Sequence, residues 1–327
     1  MKYLVIGGGN IAHSLAAAIS RRQDVTVLTR RPNDWGPYIN DSSFAVHATN
    51  DPTCVAGVEI IFIALPCLTL REMLARIDPY LHKGQTICFT PANALIPGIV
   101  ETYASKGVAI ACLQRVPYIS RIEEYGHRVK MSPPRTVHKL YVPREEMREP
   151  WAMLCRDFFE GAVEFVHSPL TFVFNNSNPL LHPARLVVLF RDWRNRVFDR
   201  NPLFYAEWTD ESSELYIKAD AEMRAVIEVA DPTGACKADY ESVLAHYGVE
   251  TPQGMTAKLR SIEGFKAILS PMRELPDGTC VPDLESRYFT EDIEGTLAIQ
   301  SFARRFRVPT PTIDELVDRM GRLTTND

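Results

Sequence analysis

Short apolar runs alternate with amphipathic stretches along the first half of the chain. Tyr3-Leu-Val-Ile6 runs directly into three glycines. Ile11 to Arg22 is rich in alanine and closes on Arg21 and Arg22, which suits the negative end of a helix dipole. Val25-Thr-Val-Leu28 reads as the next strand. Ile60-Ile-Phe-Ile-Ala-Leu65 is apolar on both faces, as befits a central parallel strand covered by helices on each side. Leu70 to Leu81 has helical spacing, and Gln85–Thr90 and Val108–Leu113 supply two further strands. The alternation predicts an α/β fold built on a doubly wound parallel sheet.

The rhythm then changes. Arg128-Val-Lys-Met131 and His138-Lys-Leu-Tyr-Val142 flank a Ser-Pro-Pro turn and predict an antiparallel hairpin on the sheet edge. Glu145 to Phe159 reads as a helix and Ala162 to Val166 as a last strand. From about Thr171 the strand signals fade, and Pro183–Phe198, Glu211–Val229 and Thr290–Phe306 are amphipathic at helical spacing. These patterns predict a boundary near 168–175. A dinucleotide-type domain would span 1–170, and an all-helical second domain 171–327.

Composition narrows the class. The 327 residues are 46% hydrophobic and 24% charged, as in ordinary globular proteins. A formal charge of −5, without a long single-sign block, argues for neither nucleic acid nor an anionic membrane as partner. No apolar run approaches the length of a spanning helix. The opening Met1–Ile6 lacks a longer apolar core and a cleavage site, so it reads as a first strand and implies a cytoplasmic protein. Seven cysteines without a Cys-x-x-Cys pair, three of them (Cys67, Cys88 and Cys112) in apolar runs, read as buried reduced thiols. No ligand spacing points to a metal.

Gly7-Gly8-Gly9-Asn10-Ile11-Ala12 fits G-x-G-x-x-A directly between a strand and a helix. Gly7 permits a tight turn, Gly9 lets the backbone approach a pyrophosphate, and Ala12 lets helix and strand pack closely. The free amides of Asn10, Ile11 and Ala12 at the helix start then face the anion. The segment after the second strand bears on the cofactor. NAD sites usually carry an acid there for the ribose hydroxyls. This chain has Thr29-Arg30-Arg31 and no acid from Val25 to Pro32. Thr29 can hydrogen-bond a 2′-phosphate, and Arg30 or Arg31 can pair with it. NADPH (NADP+) is therefore the expected cofactor, with NADH as the other option. Leu65-Pro66 ends the central strand at the carboxyl edge, where ligands of open α/β sheets bind, and is expected to touch the dinucleotide. Pro91-Ala-Asn93 stands at the equivalent place on the next strand.

A hydride transferase acting on a carbonyl or imine needs a proton donor, and histidine titrates near neutrality. Among eight histidines, His182 in Asn178-Pro-Leu-Leu-His-Pro183 has the best setting. Pro183 suits the first position of a helix, which predicts His182 at a helix mouth. Asn176 and Asn178 share that turn, and Arg185 falls on the same helix face. A lone histidine at such a place is more often a packed or capping residue. His13, its nearest rival, reads as packing beside the cofactor. A second polar cluster, Ser286-Arg-Tyr-Phe-Thr-Glu-Asp292, places Thr290 as an N-cap with Glu291 and Asp292 in a first turn. Acids there also favour the helix dipole without any chemistry.

Together these segments resemble the octopine/nopaline (opine) dehydrogenase family over nearly the whole chain. The matching stretches are Gly7–His13, Val116–Arg121 with Tyr125-Gly126, Asn178–Pro183, Pro202-Leu-Phe-Tyr205, Arg287–Asp292 and Val308-Pro-Thr-Pro311. The resemblance implies a Rossmann domain followed by a helical one. It implies an NAD(P)H-dependent oxidoreductase that condenses an amino acid's amine with an α-keto acid such as pyruvate. It also implies that His182 is the acid/base and Asp292 its orienting partner, with Arg287 on a substrate carboxylate. Asn178, Arg115, Arg121 and Arg185 are lesser candidates for substrate contact, and the three arginines each have a structural reading as well. The chain departs from the family pattern in being shorter, and in carrying Pro91-Ala-Asn-Ala where a more glycine-rich turn is common.

Three other readings stay open at this point. They are a simple NADPH-dependent 2-keto acid reductase, a non-catalytic NADPH-binding regulator, and an opine synthase whose product is a metal-scavenging ligand. The amino acid, the keto acid, the product stereochemistry and the oligomeric state, a homodimer included, are likewise open.

Overall fold

The protein is described by a computed structural model covering residues 1–93, 95–196 and 198–324. It divides into two compact units, Met1–Phe172 and Val173–Asp327.

The first unit is built on an eight-stranded sheet. Its elements run β1 (Tyr3–Ile6), α1 (Asn10–Ile19), β2 (Val25–Leu28), β3 (Val46–Thr49), β4 (Ile60–Ile63), α2 (Cys67–Ile77), β5 (Thr86–Phe89), α3 (Ile96–Ala104), β6 (Ala109–Leu113), β7 (Ser120–Glu124), β8 (Arg128–Met131), β9 (Val137–Tyr141), α4 (Arg148–Phe159) and β10 (Ala162–Val166). The strand order is β10-β9-β6-β5-β4-β1-β2-β3, which reverses direction at β1 and β4. Such a reversal opens a crevice at the carboxyl edge, where dinucleotides bind. The strands are parallel except where β9 meets β6.

Strand alternation sorts the side chains into two cores. Tyr3, Val5, Val25, Val27 and Phe62 face α1 and α4 with Leu15, Ile19, Leu154 and Phe158. Leu4, Ile6, Leu28, Ile61 and Ile63 face the other way, against Leu70, Leu74 and Ile77 of α2 and Tyr103 of α3. Each buried aliphatic side chain contributes about 1.5–3 kcal/mol, so the sheet is held from both faces. Six of the seven cysteines are buried, and Cys54 is half-buried.

The expected edge hairpin does not form. β8 pairs instead with the preceding β7, as a separate two-stranded ribbon. β9 runs antiparallel to β6 and parallel to β10. The residues beyond β8 continue the pairing with the segment before β7: Ser132 N–H donates to Ile119 and Arg135 N–H to Pro117. The Ser-Pro-Pro segment is thus an extension of one ribbon and not the turn of another. The true turn is Tyr125-Gly126. Gly126 has φ +74°, and a Cβ there would lie 2.1 Å from the Asp34 carbonyl oxygen, so only glycine fits.

The short α5 (Thr171–Phe174) spans the boundary, and the second unit continues with α6 (Asn178–Leu189), α7 (Asp210–Ala230), α8 (Ala235–Asp239), α9 (Val243–Tyr247), α10 (Pro252–Ser261), β11 (Met272–Glu274), β12 (Cys280–Pro282), α11 (Arg287–Thr290), α12 (Asp292–Phe306) and α13 (Pro311–Thr324). It is helical, with one addition to the expected pattern, the short ribbon of β11 and β12. α6 packs against α7, α12 and α13. Two predicted boundaries move. The helix expected over Pro183–Phe198 begins five residues earlier and ends at Leu189. The one expected from Thr290 is split, with Ser286 opening α11 and Glu291 opening α12. No helix among the described residues is long and apolar enough to cross a membrane.

Candidate active site and cofactor cradle

In the first unit the glycine loop joins β1 to α1 at the carboxyl edge. Gly7 has φ +143°, and a Cβ there would lie 2.7 Å from the carbonyl oxygen of Ala64 and 3.2 Å from the Cβ of Ala12. That contact places Leu65-Pro66, at the end of β4, beside the loop. Gly9 differs in kind. A Cβ on it would meet nothing within 4 Å, so protein packing does not explain the glycine, whereas a bound pyrophosphate would. Gly9 is the N-cap of α1, no side chain caps the helix, and its first turn contains no acid. The amides of Asn10, Ile11 and Ala12 stand at this bare positive helix end, which fits an anionic dinucleotide. The Asn10 side chain has another task, accepting from the Ile122 amide at 2.8 Å.

The segment after β2 separates its two arginines. Arg31 is engaged, with Nε 2.5 Å from Asp34 Oδ2 and its guanidinium 4.1 Å over the Tyr125 ring. Arg30 is exposed, and no carboxylate pairs with it among the described residues. Thr29 is buried, and its Oγ1 would lie 3.0 Å from a Cβ on Gly8. His13 is wholly buried. Its Nδ1 donates to the Gly9 carbonyl at 2.9 Å and its Nε2 accepts from the Gly126 amide at 2.8 Å. Burial lowers its pKa, opposed by the bond to Gly9. Both nitrogens are used to fasten the loop.

The second unit brings His182 and Asp292 together across 110 residues of sequence. His182 Nδ1 lies 2.6 Å from Asp292 Oδ2, with the histidine 1% and the aspartate 7% exposed. A carboxylate can only accept, so Nδ1 carries the proton and Nε2 is the chemically available nitrogen. Nε2 in turn lies 2.9 Å from the Tyr205 hydroxyl. The rings of Tyr288 and Phe204 close around the imidazole, with centroids at 4.5 and 5.5 Å.

The local chain explains this meeting. His182 is not at a helix mouth: Pro179 takes the early helical position, and Pro183 lies inside α6. Pro183 has no N–H to give to the Pro179 carbonyl one turn back. The Thr296 hydroxyl of α12 supplies that donor instead. Gly295 precedes it, and a Cβ there would lie 2.3 Å from Pro179 Cγ. Glycine and threonine thus seat α12 directly on the proline turn of α6, which brings Asp292, in the first turn of α12, onto His182.

The other candidates fall in different places. Arg287 is exposed, its guanidinium 5.3 Å over the Tyr288 ring, next to His182's wall. Asn178 opens α6 one turn from His182 and is half-buried. Arg185 is turned inward. It is 3% exposed and donates through Nε to the Phe204 carbonyl at 3.1 Å, so it fixes the segment carrying Tyr205. Burial draws its pKa down to about 10, with the charge of Glu207 opposing. Arg115 is exposed in the first unit, after β6. Sequence reasoning assigned no role to Tyr205, Tyr288, Gly295 or Thr296. Tyr205 stood in a matching segment, but nothing local to Pro202–Tyr205 reveals that its hydroxyl meets His182.

Residues 165–324 match the model of the NAD/NADP octopine/nopaline dehydrogenase alpha-helical domain. The helical unit belongs to the octopine/nopaline dehydrogenase family. Residues 2–88 match the model described as NADP oxidoreductase coenzyme F420-dependent. The likeness to opine dehydrogenases extends beyond the helical unit. The opine dehydrogenase of Haliotis discus hannai is 22% identical, covering 96% of this chain and 88% of its own. The tauropine dehydrogenase of Arabella iricolor is 24% identical, over 98% and 90%. An octopine dehydrogenase solved with NADH and L-arginine superposes with a TM-score of 0.82 at 21% identity, over 98% of this chain and 89% of that one. The Rossmann sheet followed by an octopine-dehydrogenase-type helical unit is therefore the fold of the whole chain.

Proposed function

We propose that this protein is an NAD(P)H-dependent oxidoreductase acting on CH–NH bonds. It would condense the amine of an amino acid with an α-keto acid such as pyruvate, and reduce the resulting imine to a secondary amine. The observation that carries this reading is the buried His182–Asp292 pair at 2.6 Å, in a helical unit of the octopine/nopaline family.

The chemistry asks for proton management at one atom. Imine formation expels the keto oxygen as water, which needs a proton at the carbinolamine. His182 Nε2 is the atom that gives and takes it, because Asp292 holds Nδ1–H and fixes the tautomer. The low exposure of the pair keeps bulk water from competing for that proton. Acid/base assistance of this kind is typically worth about 10²–10⁴ in rate. Arg287 is the leading candidate to hold a substrate carboxylate by bidentate pairing, with Asn178 and Arg115 as weaker ones.

Gly7, Gly9 and the amides of Asn10–Ala12 would hold the pyrophosphate, with Leu65-Pro66 beside them. When bound, the nicotinamide dinucleotide supplies the hydride for the imine carbon. Arg30 supports NADPH as the preferred form, since it is exposed and unpaired where an NAD site would have an acid. Arg31, engaged by Asp34 and Tyr125, and Thr29 would form the floor.

The test is a screen of amino acid and keto acid pairs by NADPH absorbance, with His182→Ala as comparator. Amine-dependent oxidation that falls by about 10² or more in the variant, with NADPH affinity retained, supports the proposal. Oxidation with pyruvate that needs no amine would instead indicate a simple keto acid reductase.

A further inference from the structure

In the resting protein both nitrogens of His182 are already taken. Asp292 holds Nδ1, and the nitrogen left for chemistry faces the hydroxyl of Tyr205 at 2.9 Å. Tyr205 is an unusually fixed tyrosine. Its ring stacks on Phe265 with centroids 4.2 Å apart and planes 20° from parallel, and on Trp208 at 5.9 Å and 8°. The short segment that carries it is pinned at each step. Arg185 Nε donates to the Phe204 carbonyl, and Arg260 Nε to the Trp208 carbonyl at 2.8 Å. Glu207 is gripped by both terminal nitrogens of Arg200, at 2.8 and 2.9 Å, and accepts from the Leu203 amide. Packing alone would be satisfied by phenylalanine. Among the described residues the Tyr205 hydroxyl has no hydrogen-bond partner other than His182 Nε2.

We propose that Tyr205 is a positioning residue for the acid/base histidine, its hydroxyl donating to Nε2 so that the ring stays aimed and protonation at Nε2 is opposed until substrate arrives. The inference rests on the reading of His182 as the acid/base. The direction follows from hydrogen-bond bookkeeping. Neutral His182 offers Nε2 a lone pair, which the phenol satisfies. Protonated His182 offers Nε2–H, and the phenol must then accept and leave its own hydrogen without a partner. Tyr205 therefore opposes protonation of His182, while Asp292 favours it. The phenol does not escape by ionising, because burial and the nearby phenols of Tyr288 and Tyr247 raise its pKa well above the ordinary value. The remaining groups around this pair are few. Arg287 and Tyr288 stand on α11, Glu207 is turned to Arg200, Arg185 to Phe204, and on α7 Asp220 is turned to Tyr240. Arriving substrate would take the place of the Tyr205 hydroxyl at Nε2. Its binding then sets the moment at which Nε2 takes a proton, the one the substrate ammonium gives up as it becomes the nucleophilic amine.

The experiment is an NMR titration of the His182 imidazole in the full chain, without substrate, in wild type and Tyr205→Phe. The signal is assigned by its loss in His182→Gln. The titration midpoint should move up by about one pH unit, a tenfold change in the protonation constant, when the donor is removed. The pH limb of kcat/KM that reports His182 should move the same way, while the KM for NADPH stays put. A midpoint that is unchanged or lower overturns the proposal. 3-Fluorotyrosine at position 205 keeps the ring and strengthens the donor, so it should move the midpoint down. That arm decides the matter if Tyr205→Phe does not fold. The titration needs no turnover, so an inactive protein with the expected shifts would refute the proposed reaction and leave the role of Tyr205 standing.

Discussion

At the scale of the residue, the informative contrast is between His182 and His13, both buried and both bonded through two ring nitrogens. His13 is tied to two backbone groups, the Gly9 carbonyl and the Gly126 amide, and burial lowers its pKa. His182 is tied to an acid and a phenol, groups whose protons can be exchanged. The sequence read His13 as packing beside the cofactor, and in the structure both its ring nitrogens are spent on backbone groups. It ranked His182 first among histidines, but its partner came from 110 residues away, which no local pattern reaches. Arg185 shows the opposite limit. Helical spacing put it on the same face as His182, yet it serves the Phe204 carbonyl. The prediction that belongs here is Asp292→Asn. The amide would leave the histidine free to hold the wrong tautomer, so turnover should fall by about 10²- to 10⁴-fold with cofactor affinity unchanged. Steady-state kinetics beside a cofactor titration checks it.

At the scale of the element, the decisive event is the seating of α12 on α6. Two prolines, Pro179 and Pro183, stand four residues apart, and either suits a helix start. Sequence alone cannot choose between them, because the choice depends on a donor from elsewhere. Thr296 supplies it to the Pro179 carbonyl, and this makes Pro183 tolerable inside the helix. Gly295→Ala would drive a Cβ into Pro179, and is expected to cost about 1–3 kcal/mol of stability and to lower activity through the displaced Asp292. Urea unfolding and turnover measured on the same preparation would show whether the two losses go together. The segment carrying Tyr205 makes a pH prediction. The hydrogen bonds from Arg200 hold Glu207 down at about 2, below the ordinary 4.5. A depressed carboxylate contributes stability above its ordinary pKa and loses it as pH falls through the folded value. The segment should hold down to about pH 4 and loosen between there and pH 2, which Trp208 fluorescence would report. In Glu207→Gln that acid transition should be absent. The edge hairpin misread from Ser132-Pro-Pro belongs to this scale too. Strand-like runs on either side of a turn do not say which neighbour each will pair with, and here the tighter Tyr125-Gly126 turn won.

At the scale of the whole molecule, the Rossmann sheet was legible because fully apolar strands and a glycine loop leave few alternatives. The helical unit was legible as helical but not in its internal contacts, since amphipathic periodicity shows which face is buried and not against what. Arg30, exposed and without a carboxylate partner among the described residues, bears on the choice of dinucleotide. Binding that favours the folded state raises its stability by about 2.7 kcal/mol at a hundred times Kd, so NADPH should raise Tm more than NADH at equal concentration. Arg30→Asp should reverse that order. In the proposed reaction an amine, a keto acid and His182 are needed together. The most direct measurement is NADPH oxidation with pyruvate, with and without an amino acid panel, in wild type and His182→Ala. Oxidation should require an amine and should fall at least about 100-fold in the variant. Oxidation without any amine, or at an undiminished rate in His182→Ala, would contradict the proposed reaction.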